Sequence, residues 1–201
     1  MTERSAVTIA KILKGARTLF LERSYAEVTM DHIAAAAEVT KGALYHHFSS
    51  KEALYLAMMH ADLLEVRALH RKGVDTDGSC RERLRVLTAA FLTAPREQQE
   101  VVRLVRRDAN IFGEEARTEL VHAYQEALPE LVTQIVTDGI TRNELRNADP
   151  QLLAWQFVAL VEVALSDYAN AALGDVKAKL DQVIDLFFAG VQAPEGLGAN
   201  P

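Results

Sequence analysis

Residues 29–51 have the sequence TMDHIAAAAEVTKGALYHHFSSK, in which two short amphipathic segments flank a brief turn. Thr29 precedes the first segment as a candidate N-cap, and Asp31 lies in the first helical turn, where the helix dipole favours an acid. After a turn at Glu38 and Val39, Thr40 is a candidate cap for the second segment, which runs to Phe48. Two short helices joined by a tight turn predict a helix-turn-helix.

The second of these helices has side chains that suit DNA. Its first N–H groups and the Thr40 hydroxyl can bind a phosphate, and Lys41 in the first turn can reach guanine or a phosphate. Gly42 removes a side chain where the backbone must approach DNA closely, while Leu44 and Phe48 are spaced to face the protein core. The remaining candidate contacts are donors of suitable length, namely Tyr45, His46, His47 and Lys51. Adjacent helical residues point about 100° apart, so no metal site is expected at the paired histidines.

The sequence VTKGALYHHFSSKEAL, residues 39–54, resembles the signature of the tetracycline-repressor (TetR) family of bacterial regulators, and the close likeness covers about residues 5–55. The resemblance implies phosphate contacts from one set of side chains and base contacts from another. The implied phosphate contacts are Thr29, Thr40, Tyr45, His47 and Lys51, and the implied base contacts are Lys41, Gly42 and His46.

Two residues depart from the family pattern. Glu38 occupies a turn position where the family most often has glycine, and a left-handed backbone there costs Glu about 1 kcal/mol relative to Gly. Ala43 stands where many members have a hydroxyl residue, which favours contact with a thymine methyl group. We therefore expect small differences in the turn, in affinity or in base preference.

Helical periodicity continues through the rest of the chain, with no convincing strand alternation. We predict an all-α fold of about nine helices. The predicted helices cover about residues 5–23, 30–37, 41–48, 50–71, 80–93, 95–111, 114–138, 150–172 and 175–191. Capping boxes are expected at Ser49 with Glu52 and at Ser79 with Glu82, and Pro129 should kink or break its helix. The predicted division is a DNA-binding domain over 1–50, an effector-binding and dimerisation domain over 51–191, and a disordered tail over 192–201.

Charge and composition restrict the classes of function that the protein can have. The net charge is −6, but residues 1–51 carry seven Lys and Arg against five Asp and Glu, so only the N-terminal end is expected to face a polyanion. The single cysteine, Cys80, favours a reducing, cytoplasmic setting, and no apolar run has the length of a membrane span. No catalytic constellation, metal-ligand spacing or phosphate-binding glycine loop is evident, so neither an enzyme nor a cofactor is expected.

The last two predicted helices have apolar residues on two sides, including Phe157, Val161, Ile184 and Phe187. One side can serve the core of the subunit and the other a two-fold interface, which predicts a homodimer. Dimerisation has a functional reason, because two recognition helices read a pseudo-palindrome with half-sites roughly 34 Å apart.

Candidate effector contacts are less specific. Arg106 and Asn110 lie on a polar stripe that can clamp an anion or form a solvated face, and Glu162 can orient a ligand or lie at the dimer seam. Phe91, Tyr124 and Trp155 can line a pocket, although core packing is the usual role of such residues.

We therefore predict a homodimeric, ligand-responsive repressor of transcription that binds double-stranded operator DNA. From the family resemblance, a small, largely apolar effector shifts the population towards a state that releases the operator. The first alternative is a DNA-binding regulator controlled by a protein partner, and the second is a helical enzyme or carrier.

Overall fold

The computed structural model of the chain describes residues 3–191, and these contain eleven α-helices, one 3₁₀ helix and no strand. The helices are α1 (Glu3–Glu22), α2 (Met30–Ala36), α3 (Lys41–His47), α4 (Lys51–Val74), α5 (Cys80–Leu92), α6 (Arg96–Asp108), α7 (Glu114–Ala127), α8 (Pro129–Thr141), α9 (Pro150–Ala164), α10 (Asp167–Leu173) and α11 (Val176–Val191). The 3₁₀ helix, Ala109–Ile111, follows α6. The all-α fold class is confirmed, whereas the predicted tail over 192–201 lies outside the described residues.

The prediction of nine helices was too low because two predicted helices are each divided. Pro129 starts α8 as a new helix, since a proline ring cannot continue the helix before it. In the other case Ser166 interrupts the apolar segment, and its hydroxyl accepts the Ala169 N–H as the N-cap of α10. A third correction is smaller: Ser50 rather than Ser49 caps α4, by accepting the Ala53 N–H at 3.0 Å.

The chain forms two compact units, and their boundaries fall inside α4, between α5 and α6, and inside α7. The first contains residues 1–64 and 96–123. In it α1 packs closely on α2, because Gly15 lets the two backbones meet: a Cβ on Gly15 would lie 2.9 Å from the backbone nitrogen of Ala37. Beneath these helices Phe20, Tyr25, Tyr55 and Phe112 form an aromatic cluster with ring centres 4.8–5.8 Å apart.

Three polar side chains join α6 to α1 and α4 within the first unit. Asp108 is buried and accepts a hydrogen bond from the Tyr55 hydroxyl at 2.7 Å; burial of Tyr55, and then this hydrogen bond, raise the pKa of Tyr55. Arg107 donates to Asp108 through two nitrogens and to the Phe20 carbonyl at 3.1 Å. The buried Asp108 carboxylate is compensated by these donors and joins α6 to α4 through Tyr55, while Arg107 joins α6 to the end of α1.

The second compact unit contains residues 65–95 and 124–201, of which the structure describes those up to 191. Here α9 packs on α8 and α11, and α5 packs on α8 and α11. Its core includes the fully buried rings of Phe91 and Phe157. His70 lies against Phe91 with its Nδ1 3.1 Å from the Ala127 carbonyl oxygen, and burial lowers the pKa of His70 to about 4.

Within residues 3–191 no single helix has the length and apolar character needed to cross a membrane. Only α9 and α10 taken together pass that test, and they are bent by 71° at the break between them.

Candidate nucleic-acid interface

Helix α3 presents a polar face to solvent and a single buried side chain to the core. Leu44 is fully buried, whereas Lys41, Gly42, Tyr45 and His46 are exposed. Gly42 and His46 are exposed because each is two positions from Leu44 and so lies on the opposite side of the helix. The helix therefore has the amphipathic form that a recognition helix needs.

Thr40 begins α3 and leaves its own hydroxyl hydrogen available. The Thr40 oxygen accepts the Ala43 N–H at 3.1 Å, as the predicted N-cap should. A hydroxyl that accepts one hydrogen bond can still donate another, so the capped end of the helix retains a donor for a phosphate oxygen.

The turn before α3 is a Schellman motif with Glu38 in the left-handed conformation. Glu38 has φ 54°, its N–H donates to the Ala35 carbonyl at 3.2 Å, and the Val39 N–H donates to the Ala34 carbonyl at 3.0 Å. Glycine is the usual residue at this position because it has no Cβ. The left-handed turn considered from the sequence is thus present, and Glu38 carries its conformational cost.

Lys41 forms an ion pair with Asp31 across the helix-turn-helix. Its Nζ lies 2.7 Å from the Asp31 Oδ1, and both side chains are more than 60% exposed. The hydrogen bond with Asp31 raises the pKa of Lys41, so the side chain remains a cation. An exposed pair of this kind contributes little stability, and a phosphate or a base edge can compete for the ammonium.

A cleft of about 300 Å³ lies between α2 and α3. It brings together Thr29, Lys41, Tyr45 and Lys51 of the predicted DNA-contacting residues. Thr29 also caps α2 by accepting the His32 N–H at 3.2 Å, while the His32 Nδ1 accepts the Thr29 N–H at 3.4 Å. Those two hydrogen bonds fix the start of α2 at the edge of the cleft.

The other predicted contacts lie outside this cleft on the same helix. The rings of His46 and His47 are 5.1 Å apart, with His46 exposed and His47 half-buried. At Gly42 a Cβ would meet no atom within 4 Å, so the protein itself does not require glycine there.

Lys51 has an environment unlike that of Lys41. Its Nζ donates to the Tyr25 carbonyl at 2.8 Å and to the Val28 carbonyl at 2.9 Å, and it lies 4.2 Å from the centre of the Tyr25 ring. These contacts hold the loop between α1 and α2.

The structure brings three of the six predicted effector contacts together. In the second unit the Tyr124 hydroxyl donates to the Glu162 carboxylate at 3.1 Å, and the Tyr124 and Trp155 rings are 6.1 Å apart. A small cavity of about 40 Å³ adjoins Trp155, between α8 and the start of α9. Phe91 is fully buried against His70, and Arg106 and Asn110 are exposed residues of the first unit.

Sequence reasoning missed two residues that shape the interface. Asp31 was recognised only as a helix-start acid, and Tyr25 lay within the stretch of family resemblance without an assigned role, yet they contact Lys41 and Lys51 respectively. Their partners lie 10 and 26 residues away in the sequence. No periodicity connects such distant positions, because their contact depends on the angle between helices.

A short helix with an exposed polar face, set by a Schellman turn against a capped partner helix, defines a DNA-binding helix-turn-helix protein. Residues 12–58 match the family model described as bacterial regulatory proteins, tetR family, and residues 77–166 match the tetracyclin repressor-like C-terminal domain. The chain therefore belongs to the tetR family of bacterial regulatory proteins. Its family and relatives are regulators of transcription, which confirms the expectation that it is not an enzyme.

Curated relatives are similar over most of the chain. YhgD of Bacillus subtilis, named an uncharacterized HTH-type transcriptional regulator, is 23% identical over 94% of this chain and 96% of its own. The transcriptional activator FasR of Mycolicibacterium smegmatis is 34% identical over 66% of this chain and 58% of its own. The transcriptional repressor Rv1474c of Mycobacterium tuberculosis is 27% identical over 88% of each chain.

Solved structures share the fold. FadR of Bacillus subtilis, in complex with stearoyl-CoA, superposes with a TM-score of 0.77 at 16% identity, over 91% of this chain and 99% of FadR. AibR, in complex with isovaleryl coenzyme A and operator DNA, gives a TM-score of 0.71 at 23% identity, over 93% of this chain and 99% of AibR.

Proposed function

We propose that this protein is a homodimeric repressor that binds a pseudo-palindromic operator and is released from it by a small, largely apolar effector. The observation that carries the proposal is helix α3, whose one buried residue, Leu44, leaves a polar and cationic face exposed. A DNA-binding regulator of this kind acts in the cytoplasm.

The contacts proposed on DNA are those that the family resemblance implies. Lys41, Gly42 and His46, all exposed on α3, lie against bases. The phosphate contacts come from Thr29, Thr40, Tyr45 and His47, which carry suitable donors. Residues 1–50 therefore serve DNA binding, and residues 51–191 serve effector binding and dimerisation.

The dimer is proposed to form through α9 and α11. Leu152 and Val163 on α9 and Leu186 on α11 are 53–64% exposed, although they are large and apolar. The opposite sides of the same helices bury Phe157 and Phe187 in the core of the unit. Two copies of the exposed face can pack as a four-helix bundle about a two-fold axis.

The effector is proposed to contact Tyr124, Trp155 and Glu162. An entering ligand with a polar group can replace the hydrogen bond between Tyr124 and Glu162, while its apolar part packs on Trp155. Acyl thioesters are one class of candidate effector, because the structures of FadR and AibR contain such molecules. Rv1474c supports repression as the outcome, since it is named a repressor.

The assignment is tested with purified protein and an operator duplex obtained by selection. Lys41→Ala and Tyr45→Phe should each weaken binding in fluorescence anisotropy while light scattering still reports a dimer. Dissociation of the dimer by either change would contradict the division of functions. Isovaleryl-CoA and stearoyl-CoA are the first effector probes, and Tyr124→Phe should reduce the response to a probe without changing DNA binding in its absence.

A further inference from the structure

Lys51 lies at the interface but directs its charge into the protein. Its Nζ donates to two backbone carbonyls, of Tyr25 at 2.8 Å and Val28 at 2.9 Å, and the residue is half-buried. The ammonium also lies 4.2 Å from the centre of the Tyr25 ring. Two carbonyls and an aromatic face therefore surround a side chain that, by its position alone, we expected to contact a phosphate.

The loop that these contacts hold sets the start of α2. It runs over residues 23–29, and the Ser24 N–H and hydroxyl donate to the Glu27 carboxylate at 2.9 and 2.6 Å. Thr29, the N-cap of α2, follows Val28 directly. Movement of the Val28 carbonyl would therefore move the cap, and with it the helix against which α3 is set.

The carbonyls of Tyr25 and Val28 take two of the three N–H donors of the Lys51 ammonium, and a phosphate that drew the ammonium away from the Tyr25 ring would break both of these bonds. The two carbonyls would then lose their hydrogen-bond partner in a partly buried position, which costs desolvation free energy. A phosphate contact at the protein surface would offset only part of that cost. Lys41 differs, because its partner is one exposed carboxylate on the DNA-facing side.

We infer that Lys51 is a positioning residue for DNA binding, which fixes the loop between α1 and α2 and does not neutralise a phosphate. The inference rests on the proposed function. It also connects the loop to the end of α6, because the Tyr25 ring packs edge-on against Phe112 with centres 5.2 Å apart. A shift of the 3₁₀ turn that precedes Phe112 would reach the same ring that Lys51 covers.

The salt dependence of binding separates the two roles. Each phosphate that a cation neutralises contributes about 0.9 to the slope of log K against log salt concentration. We would compare Lys51→Met with the matched Lys41→Met by anisotropy on one operator duplex over a series of KCl concentrations. Hydrogen exchange of residues 24–32 would be followed in the same proteins.

If Lys51 is a positioning residue, Lys51→Met leaves the slope unchanged and speeds amide exchange in the loop. Affinity falls about tenfold, as expected when the ordered loop is reduced to a tenth of the population. Lys41→Met, at a proposed base contact, weakens operator binding and relaxes base preference with loop exchange unchanged. A slope lowered by about 0.9 in Lys51→Met with unchanged loop exchange, or an unchanged affinity, overturns the inference.

A measurement on the unaltered side chain covers the case in which Lys51→Met does not fold. The ammonium resonance of Lys51 in ¹⁵N-lysine-labelled protein, assigned through Lys51→Arg, should be visible without DNA and unchanged when the duplex is added. A resonance that appears only with DNA contradicts the inference. If the wild-type protein binds no duplex, the proposed function fails, and the resonance of the free protein still decides whether the carbonyls hold Lys51.

Discussion

Replacement of Glu38 by glycine should stabilise the protein, because the turn that leads into the recognition helix holds a bulky residue in a left-handed conformation. Glu38 has φ 54°, and the hydrogen bonds from its own N–H and from the Val39 N–H lock this geometry. An L-residue in that region costs about 1–2 kcal/mol, which glycine avoids. Glycine also makes the unfolded chain more flexible, which offsets about 0.4–1 kcal/mol of the gain. The net expectation is a rise of about 1 kcal/mol in the free energy of unfolding.

Urea unfolding followed by circular dichroism, at one fixed protein concentration, measures this change. Glu38→Ala is the matched control, because alanine removes the same carboxylate and keeps the Cβ that causes the strain. Glu38→Gly should be more stable than Glu38→Ala by about 1 kcal/mol or slightly more. Equal stability of the two variants would show that the turn does not store the proposed strain. Glu38→Gln isolates the charge, and it should bind DNA more tightly than wild type at low salt only.

Three further predictions follow from contacts in the two units. Asp31→Asn should raise affinity for random-sequence duplex in anisotropy, because it frees Lys41 and removes an acid from the DNA-facing side; unchanged affinity would contradict this. Gly42→Ala should keep or raise the melting temperature yet weaken operator binding, because its added Cβ would meet no atom of the protein. Gly15→Ala should destabilise the fold by about 1–3 kcal/mol, because its added Cβ would meet the backbone of α2. When the pH falls from 7 to 5, the wild type should lose about 2 kcal/mol of its free energy of unfolding because of His70, and His70→Gln should not show this loss. The pKa of His70 in the folded protein, about 4, lies below its unfolded value, so the unfolded chain takes up the proton first. Parallel pH profiles of the two proteins would contradict this prediction.

Local signals in the sequence predicted the local structure well. Thr29, Thr40, Ser79 and Asp149 cap the helices that follow them, since an N-cap needs only a side-chain oxygen next to a helical segment. Pro129 separates α7 from α8 for a reason that is equally local. The cap at Ser166 was missed because the surrounding residues are apolar, and their periodicity continues across the break.

The interface could be predicted only as a set of residue types. Lys41 and Lys51 look alike in the sequence, yet one pairs with an exposed acid and the other with two backbone carbonyls. The difference depends on where the loop after α1 passes, which no pattern within residues 29–51 encodes. The same applies to Tyr124 and Glu162, which are 38 residues apart and meet only when α7 and α9 are assembled.

The central claim is that α3 of two subunits reads a two-fold related pair of half-sites. Binding selection on randomised duplex DNA with the purified full-length protein, read by sequencing, tests it most directly. We expect a pseudo-palindrome whose half-sites are about 34 Å apart, or a multiple of that distance, and its loss with Lys41→Ala. Absence of any enriched sequence from a folded dimer, or an enriched site without two-fold symmetry, would contradict the account.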